Sequence, residues 1–159
     1  MKRVRHNSGV TLMEMMVVVL IIAIAATIAF PAVNSGIESL RLKSASDSIA
    51  AFLNSGLNRA ERRQQLVEIA ISLADNNIVM RSEDPNFVRT LAMPEGVTIT
   101  KIHPEIIGTE ETERRYVLYP GGTIPRLGVE IANRRGQRRI VRVDPITGVP
   151  QVETVGEDK

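Results

Sequence analysis

Apolar residues are spread along this chain in three patterns, and each predicts a different kind of element. Residues 15–30 form an unbroken uncharged run, Met-Met-Val-Val-Val-Leu-Ile-Ile-Ala-Ile-Ala-Ala-Thr-Ile-Ala-Phe. A helix of about 20 apolar residues spans a hydrocarbon core of about 30 Å. Residues 10–33 reach that length with Glu14 as their one charge, which predicts a transmembrane helix there. Beyond it, Ile37, Leu40, Ala45, Ile49, Phe52, Leu53, Leu57 and Ala60 recur mostly every three or four residues, with Arg41, Lys43, Asp47, Asn54 and Arg59 between them. This is the period of an amphipathic helix, predicted over 34–65. Asn34-Ser35-Gly36, just after Pro31, is a weak point where a kink or local unwinding is expected.

From Val67 the period changes to two. Val67, Ile69, Ile71 and Leu73 alternate with Glu68, Ala70 and Ser72 and predict a half-buried strand. Asp75-Asn76-Asn77 turns the chain into Ile78-Val79-Met80, and Met93-Pro94-Glu95-Gly96 leads into Val97-Thr98-Ile99-Thr100. Pro104–Arg115 is polar and reads as a loop, followed by a strand at Tyr116–Tyr119 and a turn at Pro120-Gly121-Gly122. Gly128–Ala132 and Arg139–Val143 flank a turn near Arg135-Gly136, and Asp144–Gly148 closes that pair. The fold class expected is α+β: a long N-terminal helix, half transmembrane and half amphipathic, laid on a mainly antiparallel sheet. Residues 66–152 would be the β-rich globular domain and 153–159 a frayed tail.

Composition changes this picture at two points. With no cysteine there is neither a disulfide nor thiol chemistry, so the sheet domain must be held by packing alone. Trp is absent and aromatics are few, which leaves Val, Ile and Leu to build the core. The net charge is also uneven. Lys2, Arg3 and Arg5 lie in the first nine residues, and removing 1–9 turns +2 into −1. Basic residues ahead of an apolar span place the N-terminus in the cytoplasm and the remainder outside the membrane.

Glu14 is the residue that demands a reason. A carboxylate within a membrane helix costs up to roughly 3 kcal/mol unless paired or neutralised. A chain cut after Gly9 would carry a free amine on Val10, four residues before Glu14 and on the same helix face. That amine could pair with Glu14 of its own chain or of a neighbour.

Gly9-Val10-Thr11-Leu12-Met13-Glu14, between a short basic leader and an uncharged span, resembles the cleavage and methylation motif of type IV prepilins and pseudopilins. The resemblance implies that a prepilin peptidase cuts after Gly9 and methylates Val10. Residues 1–9 become a cytoplasmic leader peptide and Glu14 the assembly carboxylate. Val10 stands where the family more often has Phe or Met. Pro31 looks like the proline that commonly kinks the pilin helix. The strand–turn series through Tyr119-Pro120-Gly121-Gly122-Thr123, the arginine-rich hairpin and Asp144-Pro145-Ile146-Thr147-Gly148 resembles the globular domain of the GspH/FimT pseudopilins.

By that resemblance the chain is a minor pseudopilin of a type II secretion pseudopilus. It would be a single-pass protein of the bacterial inner membrane with a periplasmic globular domain. Other pilin or pseudopilin subunits would be its partners, through the N-terminal helix. Major pilins usually close a C-terminal loop with a disulfide, which this chain cannot do, so a minor subunit is favoured. Two other readings stand beside it. One is a minor type IV pilin of FimT type, in pilus assembly or DNA uptake. The other is an exported soluble binding domain, released from an ordinary signal peptide at Ala23-Ile24-Ala25.

Catalytic chemistry is hard to find. His6 lies in the leader and His103 beside Pro104 in an expected loop, neither with a companion at ligand or triad spacing. Glu105, Glu110, Glu111 and Glu113 lack the Asp/Asn alternation of a calcium loop and read as a solvated loop. Met13, Met15 and Met16 are packing residues of the helix. Neither enzyme nor cofactor is expected. Arg134, Arg135, Arg138, Arg139 and Arg142 fall together on or beside a predicted hairpin and would attract phosphates unless paired. The competing reading is a solvated strand face balanced by Glu130, Asp144 and Glu153. Without interleaved aromatics, any nucleic-acid contact there would be phosphate-led and non-specific.

Overall fold

A computed structural model describes residues 11–106 and 112–156, with residues 28–34 described by their backbone alone. The chain divides into two units, Met1–Ile37 and Glu38–Lys159. One helix, α1 (Leu12–Arg63), supplies the described part of the first unit and the opening of the second.

The backbone is helical through Pro31 and through Asn34, Ser35 and Gly36, so the local unwinding expected there is absent. Helical propensity of the flanking residues outweighs one Gly and one missing proline donor. Among the described residues no helix is long and apolar enough to cross a membrane. The expected span, 10–33, includes Val10 and the side chains of 28–34, which lie outside the described set.

In the second unit α1 buries Leu42, Ala45, Ser46, Ile49, Leu53, Gly56 and Ala60, one stripe at steps of three and four. Ile37 and Leu40, expected on that stripe, are instead 43% and 67% exposed. At about 100° per residue, Leu40 points about 160° away from Leu42, so the two cannot share a face. The stripe begins at Leu42. Gln64 takes a left-handed conformation (φ 52°) and ends the helix.

Eight strands follow: β1 (Val67–Ser72), β2 (Asn77–Ser82), β3 (Val88–Ala92), β4 (Val97–His103), β5 (Glu113–Leu118), β6 (Gly128–Asn133), β7 (Arg138–Val143) and β8 (Pro150–Val155). They make two four-stranded sheets rather than one, in the orders β3-β2-β1-β5 and β4-β6-β7-β8, and every pair is antiparallel. The α+β class holds. Three boundaries differ from expectation. β3 is unpredicted, β5 begins inside the expected loop, and β8 runs past 152 into the expected frayed tail. Both β3 and β8 are sheet edges with mostly exposed side chains, so they carry little of the alternation that marks a strand.

One core joins α1 to both sheets. Leu42, Ile49 and Leu53 of α1 cluster with Val67, Ile69, Ile71, Ile78, Met80 and Leu118 of the first sheet, and with Val97, Ile102, Val129, Ile131, Val141 and Val143 of the second. A bulge between Ile99 and Lys101 keeps Ile99 and Ile102 on the same inward face despite their odd spacing. Gly56 sets how close the helix comes. A Cβ there would lie 2.9 Å from Met80 Cε and 3.3 Å from Ile69 Cδ1. Asn76 ties the sheets together from a left-handed turn (φ 51°). Its Nδ2 donates to the Val97 carbonyl (2.9 Å) and its Oδ1 accepts from Ile99 N–H (2.8 Å).

Candidate assembly segment and the arginine hairpin

Gly9, Val10 and His6 lie outside the described residues. The segment becomes visible at Thr11, immediately before α1. Glu14 N–H donates to Thr11 Oγ1 at 3.2 Å, and Met15 N–H to the Thr11 carbonyl at 3.2 Å. Thr11 is therefore the N-cap. Thr11-Leu12-Met13-Glu14 has the Thr-x-x-Glu spacing of a capping box, a signal present in the sequence and overlooked in favour of the carboxylate. Glu14 also sits in the first turn, where the positive end of the helix dipole favours a negative charge by about 0.3–1 kcal/mol. Its position thus has a local reason as well as the one expected from a cut N-terminus.

Every residue from Leu12 to Thr27 is exposed, on all sides of the helix. Leu12 is 82%, Met16 67% and Ile22 61% accessible. A helix apolar all round belongs inside lipid or among other helices. The three methionines lie on this surface, with Met13 and Met16 about one turn apart. Pro31 is within α1 and has no N–H to offer the Thr27 carbonyl. Thr27 Oγ1 donates to the carbonyl of Ile24 at 2.7 Å.

The five arginines do not form one patch. Arg138 and Arg142 of β7 share a face with Glu130 and Glu153, whereas Arg139 stands opposite Ile131 and Thr154 on the other face. Four of the five are paired: Arg134 with Glu95 (3.0 Å), Arg135 with Glu38 (4.0 Å), Arg138 with Glu130 (3.5 Å) and Arg142 with Glu153 (3.4 Å). Arg139 is half-buried and has no acidic partner among the described residues. Asp144, expected to balance the patch, instead accepts from Ile146 N–H (2.8 Å) and Thr147 N–H (3.3 Å) within the turn. Those backbone donors hold its carboxyl below the usual aspartate range.

His103 is also placed differently from expectation. It ends β4 rather than standing in a loop, and its Nε2 lies 3.2 Å from Glu130 Oε2. The Glu130 side chain is only 5% exposed, so the outer face of this sheet is not simply solvated. Arg138 approaches the other carboxylate oxygen, close enough to pair but not aligned for a hydrogen bond. Arg138 and His103 thus flank one buried carboxylate, and among the described residues no group of three metal-ligating side chains exists.

Of the acidic segment, Glu105 bonds Lys101 Nζ (3.0 Å) and Glu113 bonds Arg115 Nε (2.8 Å). The hydrogen bond and charge of Lys101 lower the Glu105 carboxyl, and Glu105 raises the Lys101 amine in return. Glu110 and Glu111 lie outside the described residues.

Residues 4–30 match the prokaryotic N-terminal methylation motif. Searches of curated proteins and of solved structures found no match. The motif supports a type IV pilin-like protein, membrane-anchored and structural rather than enzymatic. It implies processing by a prepilin peptidase and assembly with other pilin subunits.

Proposed function

We propose that this chain is a minor pseudopilin of GspH/FimT type, cut after Gly9, methylated on Val10 and built into a type II secretion pseudopilus through its N-terminal helix. The observation that carries the reading is the methylation motif at residues 4–30, leading into a helix whose residues 15–27 carry no charge and are exposed on every side. Residues 10–33 hold the subunit in the inner membrane, with the N-terminus cytoplasmic and the two-sheet domain periplasmic. Once the leader is removed, the apolar helices bundle. Glu14 of one subunit meets the terminal amine of a neighbour while Thr11 keeps the first turn closed, and Pro31 bends the rod. The pairing of Arg134, Arg135, Arg138 and Arg142 with carboxylates favours this structural role over a DNA-contacting pilin.

The test is the mass and N-terminal sequence of the protein from membranes of cells carrying a prepilin peptidase. A chain starting at Val10 with one added methyl is expected, and deletion of the peptidase should restore residues 1–9. A start near Ala26 would instead assign an exported domain with an ordinary signal peptide. Incorporation of a Glu14→Gln chain into filaments at the wild-type level would end the assembly role given to the carboxylate.

A further inference from the structure

A cluster of arginines, most of them without carboxylate partners among the described residues, lies at the C-terminal end of α1, apart from the arginine hairpin. Arg59, Arg62 and Arg63 of the last helical turns meet Arg89 of β3 around Phe87, and together with Ser55 and Asn58 they line a cavity of about 400 Å³. The Arg59 guanidinium stacks 3.4 Å from the Phe87 ring centroid, and that of Arg89 lies 5.4 Å from it. Arg59 is further fixed by Ser82 Oγ at 3.3 Å and by Asp84 at 3.5 Å. Arg62, Arg63 and Arg89 are exposed and have no acidic partner among the described residues. No carboxylate lines the cavity, and nearby Glu61 is occupied by the Gly121 N–H at 3.0 Å.

Basic residues at a helix C-terminus have a structural use, because they complement the dipole. That accounts for Arg62 and Arg63. It does not account for Arg89, which comes from an edge strand, nor for two guanidiniums over one aromatic ring. Arginine forks suit carboxylates and phosphates alike, so the surroundings must decide between them. The Phe87 ring is already covered by Arg59, which takes away the stacking platform that single-stranded nucleic acid uses. The anion already seated beside Arg59 is a carboxylate, that of Asp84.

We propose that Arg62, Arg63 and Arg89, braced by the Arg59–Phe87 stack, form a docking surface for an acidic segment of a neighbouring protein subunit. Only the identification of that neighbour as a filament subunit rests on the pseudopilin reading; the carboxylate chemistry does not.

The experiment uses the full chain in detergent and follows the fluorescence anisotropy of a labelled hexaglutamate peptide. A labelled hexathymidylate oligonucleotide serves as the phosphate arm. Binding of the peptide is expected, weakening as salt rises. The Arg62→Gln/Arg89→Gln double variant should bind it roughly fivefold more weakly, the combined scale of two exposed charge pairs. Arg63→Gln, also exposed, gives a second reading should the double variant not fold. Equal binding by wild type and both variants would overturn the proposal, as would tight binding of the oligonucleotide without the peptide. N-terminal sequencing of the same preparation reports separately on processing after Gly9. A chain that is uncut yet binds the peptide removes the pseudopilin reading alone, and a cut chain without peptide affinity removes this surface alone.

Discussion

The two parts of α1 use the same residue types to opposite ends. From Met15 to Thr27 the helix is uncharged on every side and its side chains are exposed, while from Leu42 to Ala60 it shows one buried stripe and a polar back. Composition alone would call both halves hydrophobic. What separates them is angular order. A stripe implies a partner on one side, here two sheets already supplied by the same chain. A helix apolar on every side implies a surrounding medium, or several partners that the chain does not contain. The second half completes a domain; the first half presents an exposed apolar surface.

That contrast can be broken by matched truncations. Leu53 is 1% exposed and Leu20 60% exposed. Leu53→Ala should cost about 3 kcal/mol of domain stability, through lost burial and a residual cavity. Leu20→Ala should change it by less than about 0.5 kcal/mol, as exposed sites do, while weakening incorporation into filaments. Thermal or denaturant unfolding beside a filament assay reads both. Equal destabilisation by the two changes would show that the first half is also packed inside its own chain.

The close approach at Gly56 gives the next largest effect. Gly56→Val places branched atoms where Met80 Cε and Ile69 Cδ1 already stand, at 2.9 and 3.3 Å from a first Cβ. Overpacking of this kind costs about 2 kcal/mol. A variant as stable as wild type would mean that the helix can lift from the sheet at little cost. Arg138→Ala follows, at about 1–2 kcal/mol, because it removes the guanidinium from the nearly buried Glu130 carboxylate and leaves His103 Nε2 as its hydrogen-bond partner. Unchanged stability would return Arg138 to the role of a free, ligand-facing cation.

What the sequence made legible follows the same division. The apolar run and the Gly9–Glu14 motif are local, since spacing along the chain is the whole signal. The strands at Val67–Ser72, Gly128–Asn133 and Arg138–Val143 are readable because their large apolar residues alternate along the sequence, although β1 and β6 are buried on nearly every side. β3 and β8 are not, because an exposed edge strand has no face to mark. Leu40 was misplaced because it keeps the apolar character of the stripe while missing its angle. The arginines were read as a patch because sequence places them side by side, whereas pairing register puts Arg139 on the opposite face from Arg138 and Arg142. Glu130 and Glu153, expected to balance the arginines, do pair with Arg138 and Arg142, whereas Glu38 and Glu95 are distant in sequence and no local pattern announces them. The cluster around Phe87 was missed for the same reason, being assembled from a helix end, a turn and an edge strand.

The smaller predictions probe the two ends of the molecule. Thr11→Ala removes the acceptor of the Glu14 N–H and should loosen the first helical turn by about 1 kcal/mol. Faster amide exchange at Glu14 and Met15 would report it, with the β-rich unit unaffected. Unaltered exchange would leave the cap without a role and return Glu14 to the terminal amine alone.

The smallest effect is expected at Asp144, where the carboxylate organises the turn from β7 to β8 by accepting the Ile146 and Thr147 N–H groups. These bonds favour the charged form, so its folded pKa is depressed below the ordinary value of 3.8. The sign follows from linkage. The contribution is present above the ordinary pKa, where the unfolded chain is also ionised, and is lost as pH falls through the lower folded value. Asp144→Asn should therefore lower stability slightly at neutral pH and flatten the acid limb of the stability curve below about pH 4, the region set by the ordinary carboxylate pKa. Parallel acid limbs for the two proteins would show that the turn is held by Gly148 N–H bonding to the Asp144 carbonyl (2.8 Å), which Asn preserves, rather than by the charge.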